Sequence, residues 1–199
     1  MRKQLNSFTV EQAKSYRERK RTIREWGRWI DRKLDEGWEG YLVTLMYKQI
    51  RGSEATKIEV MGKEVVRVYA TFLTHLFRRP NAPSSRGKLP ILIAAPDYPV
   101  AKHQKVILEE VKINDGLHFH GVLLVHPDRR LKGRVEDYFD NNMHVYVNNK
   151  HELLRLHLRP IEEHASYVTG YGYKTIRKRA SIGLDGFVVL PRIESEMPS

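Results

Sequence analysis

The sequence predicts an α+β domain, a central antiparallel β-sheet flanked by helices and preceded by a basic N-terminal helix. Several short runs of strand formers lie between or beside helical patterns, which favours such a sheet. Apolar residues recur at three- and four-residue spacing in the helical stretches. A chain of 199 residues, 41% hydrophobic and 10% aromatic, can bury a sizeable core, which argues against wholesale disorder.

Residues 9–35 read as one helix. Thr9 with Gln12 fits a capping box, and Val10, Ala13, Tyr16, Ile23, Trp26, Ile30 and Leu34 form an apolar stripe. Residues 1–36 are therefore a basic helical extension, whose stripe can dock on the domain or on a second subunit in a homodimer. Gly37 to Gly40 turns the chain into strand formers at 41–47. Residues 63–78 look helical, with Val65, Val68, Tyr69, Phe72 and Leu76 on a broad apolar face. A loop rich in Pro, Ser and Gly covers 79–90, and a short strand follows at 91–95. Residues 105–113 and 117–125 read as two strands around Asn114-Asp115-Gly116, and 135–141 as a short helix or turn. Strands are expected at 143–147 and 153–158, a helix from Pro160 to about residue 179, and a closing strand at 187–190. The main domain is thus 37–192, and 193–199 is a loose tail.

Thirty-five Lys and Arg against 24 Asp and Glu leave a net charge of +11. Residues 1–35 hold eleven basic and five acidic side chains, and a second basic knot lies at 174–179. This pattern favours a polyanionic partner through counterion release, without base specificity. From charge alone, a merely soluble basic protein is an equal reading. Cysteine is absent, which excludes disulfides, Cys-ligated zinc and a thiolate nucleophile. The best apolar run, residues 90–96, is too short to span a bilayer, and residues 1–20 lack the apolar core of a signal peptide. The expected setting is the cytoplasm, with no membrane partner.

The most informative segment is 109–125. His118 and His120 are two apart in a strand, so both project from one face while Phe119 turns to the core with Leu123 and Val125. Two adjacent imidazoles are half of a metal site. Asn-Asp-Gly suits a three-residue hairpin, a type I turn followed by Gly116 in the left-handed conformation. That loop pairs Lys112 with His118 and Glu110 with His120, adding a carboxylate as third ligand. A two-residue loop would put Val111 opposite His120 instead. Histidine and oxygen donors without sulfur suit Mn²⁺ or Mg²⁺, and Zn²⁺ is compatible.

The second constellation is at 164–174. Tyr167 and Tyr171 are one helical turn apart, Lys174 follows at i+3, and His164 lies on the same stripe. A phenol is a suitable nucleophile towards a phosphodiester when a metal polarises the phosphate and a cation stabilises its developing charge. Tyr173 is rotated away from Tyr171. The bland alternative makes both tyrosines core residues and Gly170 and Gly172 the marks of a kinked helix. Trp26, Trp29 and Trp38 could stack on bases, although core or interface packing is the commoner use.

Together the two constellations resemble the HUH endonuclease superfamily, particularly the two-tyrosine replication initiator (Rep) proteins of rolling-circle plasmids and single-stranded DNA viruses. His118-Phe119-His120 matches the histidine–hydrophobic–histidine motif, and Tyr167 to Lys174 matches Tyr-x-x-x-Tyr-x-x-Lys. Residues 41–47 are compatible with the weaker first strand motif, and Glu110 falls where some Rep proteins place a third ligand. Gly170 departs from the pattern, since a basic residue is common before the second tyrosine. The resemblance implies a ferredoxin-like or RNA-recognition-motif-like sheet and a metal-dependent endonuclease and strand transferase. It would nick and join single-stranded DNA at an origin, linear or hairpin, through a 5′-phosphotyrosine bond, to initiate rolling-circle replication. It further implies Tyr171 as primary nucleophile, Tyr167 as the second, Lys174 as the cation near the phosphate, and Glu110, His118 and His120 as metal ligands. No Gly-x-x-x-x-Gly-Lys-[Ser/Thr] segment is present, so a separate helicase would act with the replication polymerase. The alternatives are an HUH single-strand DNA transposase, for which Tyr167 would be dispensable, and a non-catalytic basic nucleic-acid-binding module. A zinc-dependent hydrolase is more remote, because no water-activating base is evident beside the histidines.

Overall fold

The computed structural model describes residues 10–98, 113–162, 173 and 186–192. Its elements are helix α1 (Val10–Asp35), strand β1 (Glu39–Tyr47), helix α2 (Glu54–Leu76), strand β2 (Ile91–Asp97), strand β3 (His118–Val125), helices α3 (Val135–Asn141) and α4 (Met143–Tyr146), and strands β4 (Leu153–Pro160) and β5 (Val188–Leu190). The strands form one sheet in the order β4-β1-β3-β2-β5, antiparallel at every pairing. The α+β architecture expected from the sequence is the one observed. Strands β1 to β4 with their connecting helices follow the β-α-β-β-α-β succession of a ferredoxin-like unit.

Local chemistry marks the element boundaries. Helix α1 stops where Gly37, at φ 88°, donates its N–H to the Leu34 carbonyl and Trp38 donates to that of Lys33, a Schellman ending. Helix α2 starts earlier than its apolar face suggests, because the Ser53 side chain accepts the Thr56 N–H at 3.2 Å and caps it.

The pleat sorts side chains into two cores. Tyr41, Val43 and Leu45 of β1 and Phe119, Leu123 and Val125 of β3 join Met61, Val65, Phe72 and Leu76 of α2 on one face, with Val135, Phe139 and Tyr146 beside them. On the other face, Ile23 and Ile30 of α1 pack with Ile91, Ile93, Val122 and Leu124. Trp26 meets Phe187 edge-on at 4.5 Å, and Trp38 is buried, so both indoles are used in packing. Lys33 is buried as well, its ammonium 2.7 Å from Glu36 and over the rings of Trp29 and Trp38. Lys14, Arg17, Arg21, Arg24, Arg28 and Arg32 of α1 stay exposed. No helix among the described residues is long and apolar enough to cross a membrane.

Three expectations are corrected. Strand β3 is paired by β1 over Phe119–Val125 and by β2 over His118–Leu124, so His120 has a strand on each side and cannot pair with Glu110 as a hairpin would require; residues 105–112 themselves lie outside the described residues. The residues opposite His118 and His120 on β2 are Asp97 and Ala95, in place of Lys112 and Glu110. Residues 143–147 form a helical turn, closed by the Val147 N–H on the Met143 carbonyl. Packing overrides β propensity there: Tyr146 is fully buried, 4.9 Å from the Phe139 ring, and its hydroxyl meets that of Tyr138 at 2.8 Å. Pro160 ends β4 opposite Tyr41, and 161–162 are not helical, so no helix starts at Pro160; an edge strand tolerates a residue without an N–H. The rest of the helix expected to about 179 lies, apart from Tyr173, outside the described residues.

Gly121 follows His120 on β3 opposite Ala94 of β2, and a Cβ there would come within 2.7 Å of the Ile93 carbonyl oxygen and 3.0 Å of the Ala94 Cβ. Gly121→Ala should force β2 and β3 apart at a cost of about 1–3 kcal/mol. Thermal unfolding followed by circular dichroism checks this, and an unchanged melting temperature would contradict the close approach.

Candidate metal centre

His118 and His120 share the face of β3 that carries Val122 and Leu124. Strand β2 brings Asp97 directly opposite His118. Helix α1 covers this face toward the Ile91 and Leu124 end, and the three polar residues lie toward the other end of the same two strands. Potential ligand atoms of Asp97, His118 and His120 all lie within 4.8 Å of one another.

The Asp97 Oδ2 is 3.8 Å from His118 Nε2 and 3.7 Å from His120 Nε2. These separations exceed a hydrogen bond. Donors sharing one cation through bonds of about 2.1 Å at a near-tetrahedral angle stand about 3.4 Å apart, so little adjustment is needed. The imidazoles lie 4.6 Å apart at 84°, so they converge without stacking.

Both rings are held from behind. His118 Nδ1 lies 2.8 Å from the Gly116 carbonyl, which can only accept, so that nitrogen carries a proton and Nε2 is the atom turned to Asp97 and available to ligate in the neutral ring. His120 Nδ1 lies 3.0 Å from the Thr44 hydroxyl on β1. Outer hydrogen bonds of this kind orient metal-binding histidines. Asp97 has 0% exposure, on a strand buried along its whole length. A carboxylate so removed from water is costly without compensating charge. Two nitrogen donors and one buried carboxylate fit a divalent cation, and this group could hold one.

The turn before β3 is itself anchored. Asn114 and Asp115 adopt left-handed φ of 53° and 58°, followed by Gly116 at 79°, so Gly116 is left-handed as expected but the two residues before it are not in a type I turn. Asn and Asp are the non-glycine residues that best tolerate this conformation. Buried Asn114 accepts the Ile50 N–H at 2.8 Å and donates to the Lys48 carbonyl at 2.8 Å, tying the turn to the chain after β1. Lys57 pairs with Asp115 at 2.8 Å from α2. The carbonyl that orients His118 is thereby fixed from two sides.

Of the residues singled out in the sequence, the structure brings His118 and His120 together. Glu110, His164, Tyr167, Tyr171 and Lys174 lie outside the described residues. Tyr173 is buried, donates its hydroxyl to the Ile93 carbonyl at 2.7 Å, and has its phenol pushed far above the ordinary range by burial. Sequence reasoning missed Asp97. Its signal was present: a carboxylate ending an apolar run, where an acid enters a buried strand only with compensation.

Asp97→Asn should weaken Mn²⁺ binding about tenfold or more by calorimetry, with Glu110→Ala as comparator. Unchanged affinity in Asp97→Asn would remove it from the ligand set, and loss in Glu110→Ala alone would make Glu110 the third ligand. Affinity should fall on acidification, since both imidazoles must be neutral to ligate. Asn114→Ala should cost about 2–4 kcal/mol in a denaturant titration, from lost buried hydrogen bonds and left-handed strain; a cost below 1 kcal/mol would refute the anchoring role.

No protein-family model, no curated protein and no solved structure matches the chain.

Proposed function

We propose that the protein nicks and rejoins single-stranded DNA by metal-dependent tyrosine transesterification, as an initiator of rolling-circle replication. The observation that carries this reading is the convergence of His118, His120 and Asp97 on the inner strands of an antiparallel sheet. Two imidazoles and a buried carboxylate are a donor set that could hold a divalent ion able to polarise a phosphate, and His118-Phe119-His120 resembles the histidine–hydrophobic–histidine motif of such enzymes. The sequence adds Tyr167, Tyr171 and Lys174 in helical register. Tyr173, two residues after Tyr171, packs on the same sheet face as the triad.

The Tyr171 phenolate oxygen attacks phosphorus and forms a phosphotyrosine ester with the 5′ side of the break. The bond from phosphorus to the 3′ oxygen cleaves, and that oxygen takes up a proton as a free 3′-hydroxyl. The reverse attack by a 3′-hydroxyl restores the phosphodiester and returns the tyrosine. Lys174 offsets charge that develops on the phosphate. A bound divalent ion would supply Lewis-acid polarisation of the non-bridging phosphate oxygens. Gly116 and Thr44 hold the two imidazoles so that their Nε2 atoms face Asp97. Among metals, imidazole with carboxylate favours Mn²⁺ or another first-row ion over Mg²⁺, which prefers all-oxygen sites.

A second reading is a basic nucleic-acid-binding module without catalysis, favoured by the exposed cations of α1. A denaturing gel with labelled single-stranded hairpin and linear DNA, with Mn²⁺ or EDTA, separates the two. A metal-dependent adduct that survives denaturation and is lost in Tyr171→Phe is expected; retention in Tyr171→Phe and loss in Tyr167→Phe would exchange their roles. No adduct across a broad origin pool, with DNA and metal both bound, would overturn the nickase in favour of the binding module.

A further inference from the structure

The outer strand β4 carries a feature that the metal centre does not use. Its pairing with β1 sets Arg155 opposite Met46, His157 opposite Thr44 and Arg159 opposite Leu42. The register shifts between Met46 and Tyr47, leaving Leu154 as the extra residue of a bulge. Leu153 and Leu156, three apart, can therefore both enter the core beneath the sheet, while Arg155, His157 and Arg159 all project from the opposite face. All three are exposed. Thr44, opposite His157, is the same residue whose hydroxyl meets His120 on its other side.

We propose that Arg155, His157 and Arg159 form a phosphate-binding track that carries single-stranded DNA along β4 to the Asp97–His118–His120 centre. The proposal rests on the nicking reading and deepens it by naming where the strand lies. Residues i and i+2 of a strand are about 6.8 Å apart, a step comparable with successive phosphates of an extended single strand. The track is two strand spacings, about 10 Å, from His120, so a nucleotide laid across β1 connects them. Leu42 and Met46, half-buried on the same face of β1, give the bases an apolar floor between the cations and the metal ligands. Among the described strand residues on this face the only carboxylate is Asp97, so no other described strand residue there repels a phosphate. Charges on an edge strand also deter aggregation; that role predicts no site-specific loss of DNA binding.

The test is fluorescence anisotropy with labelled oligo(dT) in EDTA over a range of salt, which reads binding without cleavage. Arg155→Ala/Arg159→Ala is compared with Arg78→Ala/Arg79→Ala, an exposed pair beyond α2 that removes the same net charge. The β4 variant should bind about tenfold more weakly, with the slope of log K against log salt reduced by about 1.4 for two lost contacts. Arg155→Lys/Arg159→Lys should recover most of the affinity, while melting temperature and Mn²⁺ affinity stay at wild-type values. Equal losses in the β4 and control pairs, or none in either, would overturn the track. If the wild type forms the adduct and the β4 variant binds oligo(dT) normally, the track falls and the nicking reading stands. If the variant loses binding as expected but the wild type forms no adduct, the nicking reading falls and β4 remains a DNA-binding surface.

Discussion

Strand β3 is hydrogen-bonded along both edges, and most of the molecule is arranged by that fact. With β1 on one side and β2 on the other, its pleat assigns each successive side chain to one of two cores. Phe119, Leu123 and Val125 enter the layer beneath α2, while Val122 and Leu124 meet α1. The same alternation sends His118 and His120 to the α1 face, beyond the part that α1 covers. A shift of one residue would bury both histidines under α2 and expose Phe119, so the apolar residues enforce the register that the polar ones need. Gly121 permits the close contact of β2 and β3 that brings Asp97 to the histidines.

The electrostatics of the centre follow from this packing. Asp97 is carried into the interior by a strand whose every residue is buried, and the Nε2 atoms of His118 and His120 lie 3.8 and 3.7 Å from its Oδ2. Each imidazole is oriented by a neighbour from a different part of the chain, Gly116 in the turn and Thr44 on β1. The turn is in turn fixed through Asn114 to residues 48 and 50. Side chains held from behind in this way would lose little freedom on taking up an ion, which favours affinity and a defined geometry.

Positive charge is divided between two surfaces with different surroundings. The exposed cations of α1, Lys14, Arg17, Arg21, Arg24, Arg28 and Arg32, raise the potential around the molecule, while Arg19 and Lys33 of the same helix are buried. Arg155 and Arg159 of β4 are exposed on the sheet face that also carries Thr44 and His120.

By itself the sequence determined the α+β class, the positions of β1, β2 and β3 to within a few residues, the end of α1 at Gly37, and the shared face of His118 and His120. Each of these rests on short-range periodicity or turn chemistry, which is written within a few neighbouring residues. Only the tertiary structure decided which strands flank β3. The Asn-Asp-Gly turn invited a local hairpin that placed Glu110 beside His120, yet both edges of β3 belong to strands distant in the chain, and their register supplies Asp97. The segment at 143–147 likewise gave up its strand preference because Tyr146 fills a space among Phe139 and Tyr138. A candidate ligand contributed by cross-strand pairing 21 residues upstream of His118 leaves no spacing motif, since its position depends on how the whole sheet assembles.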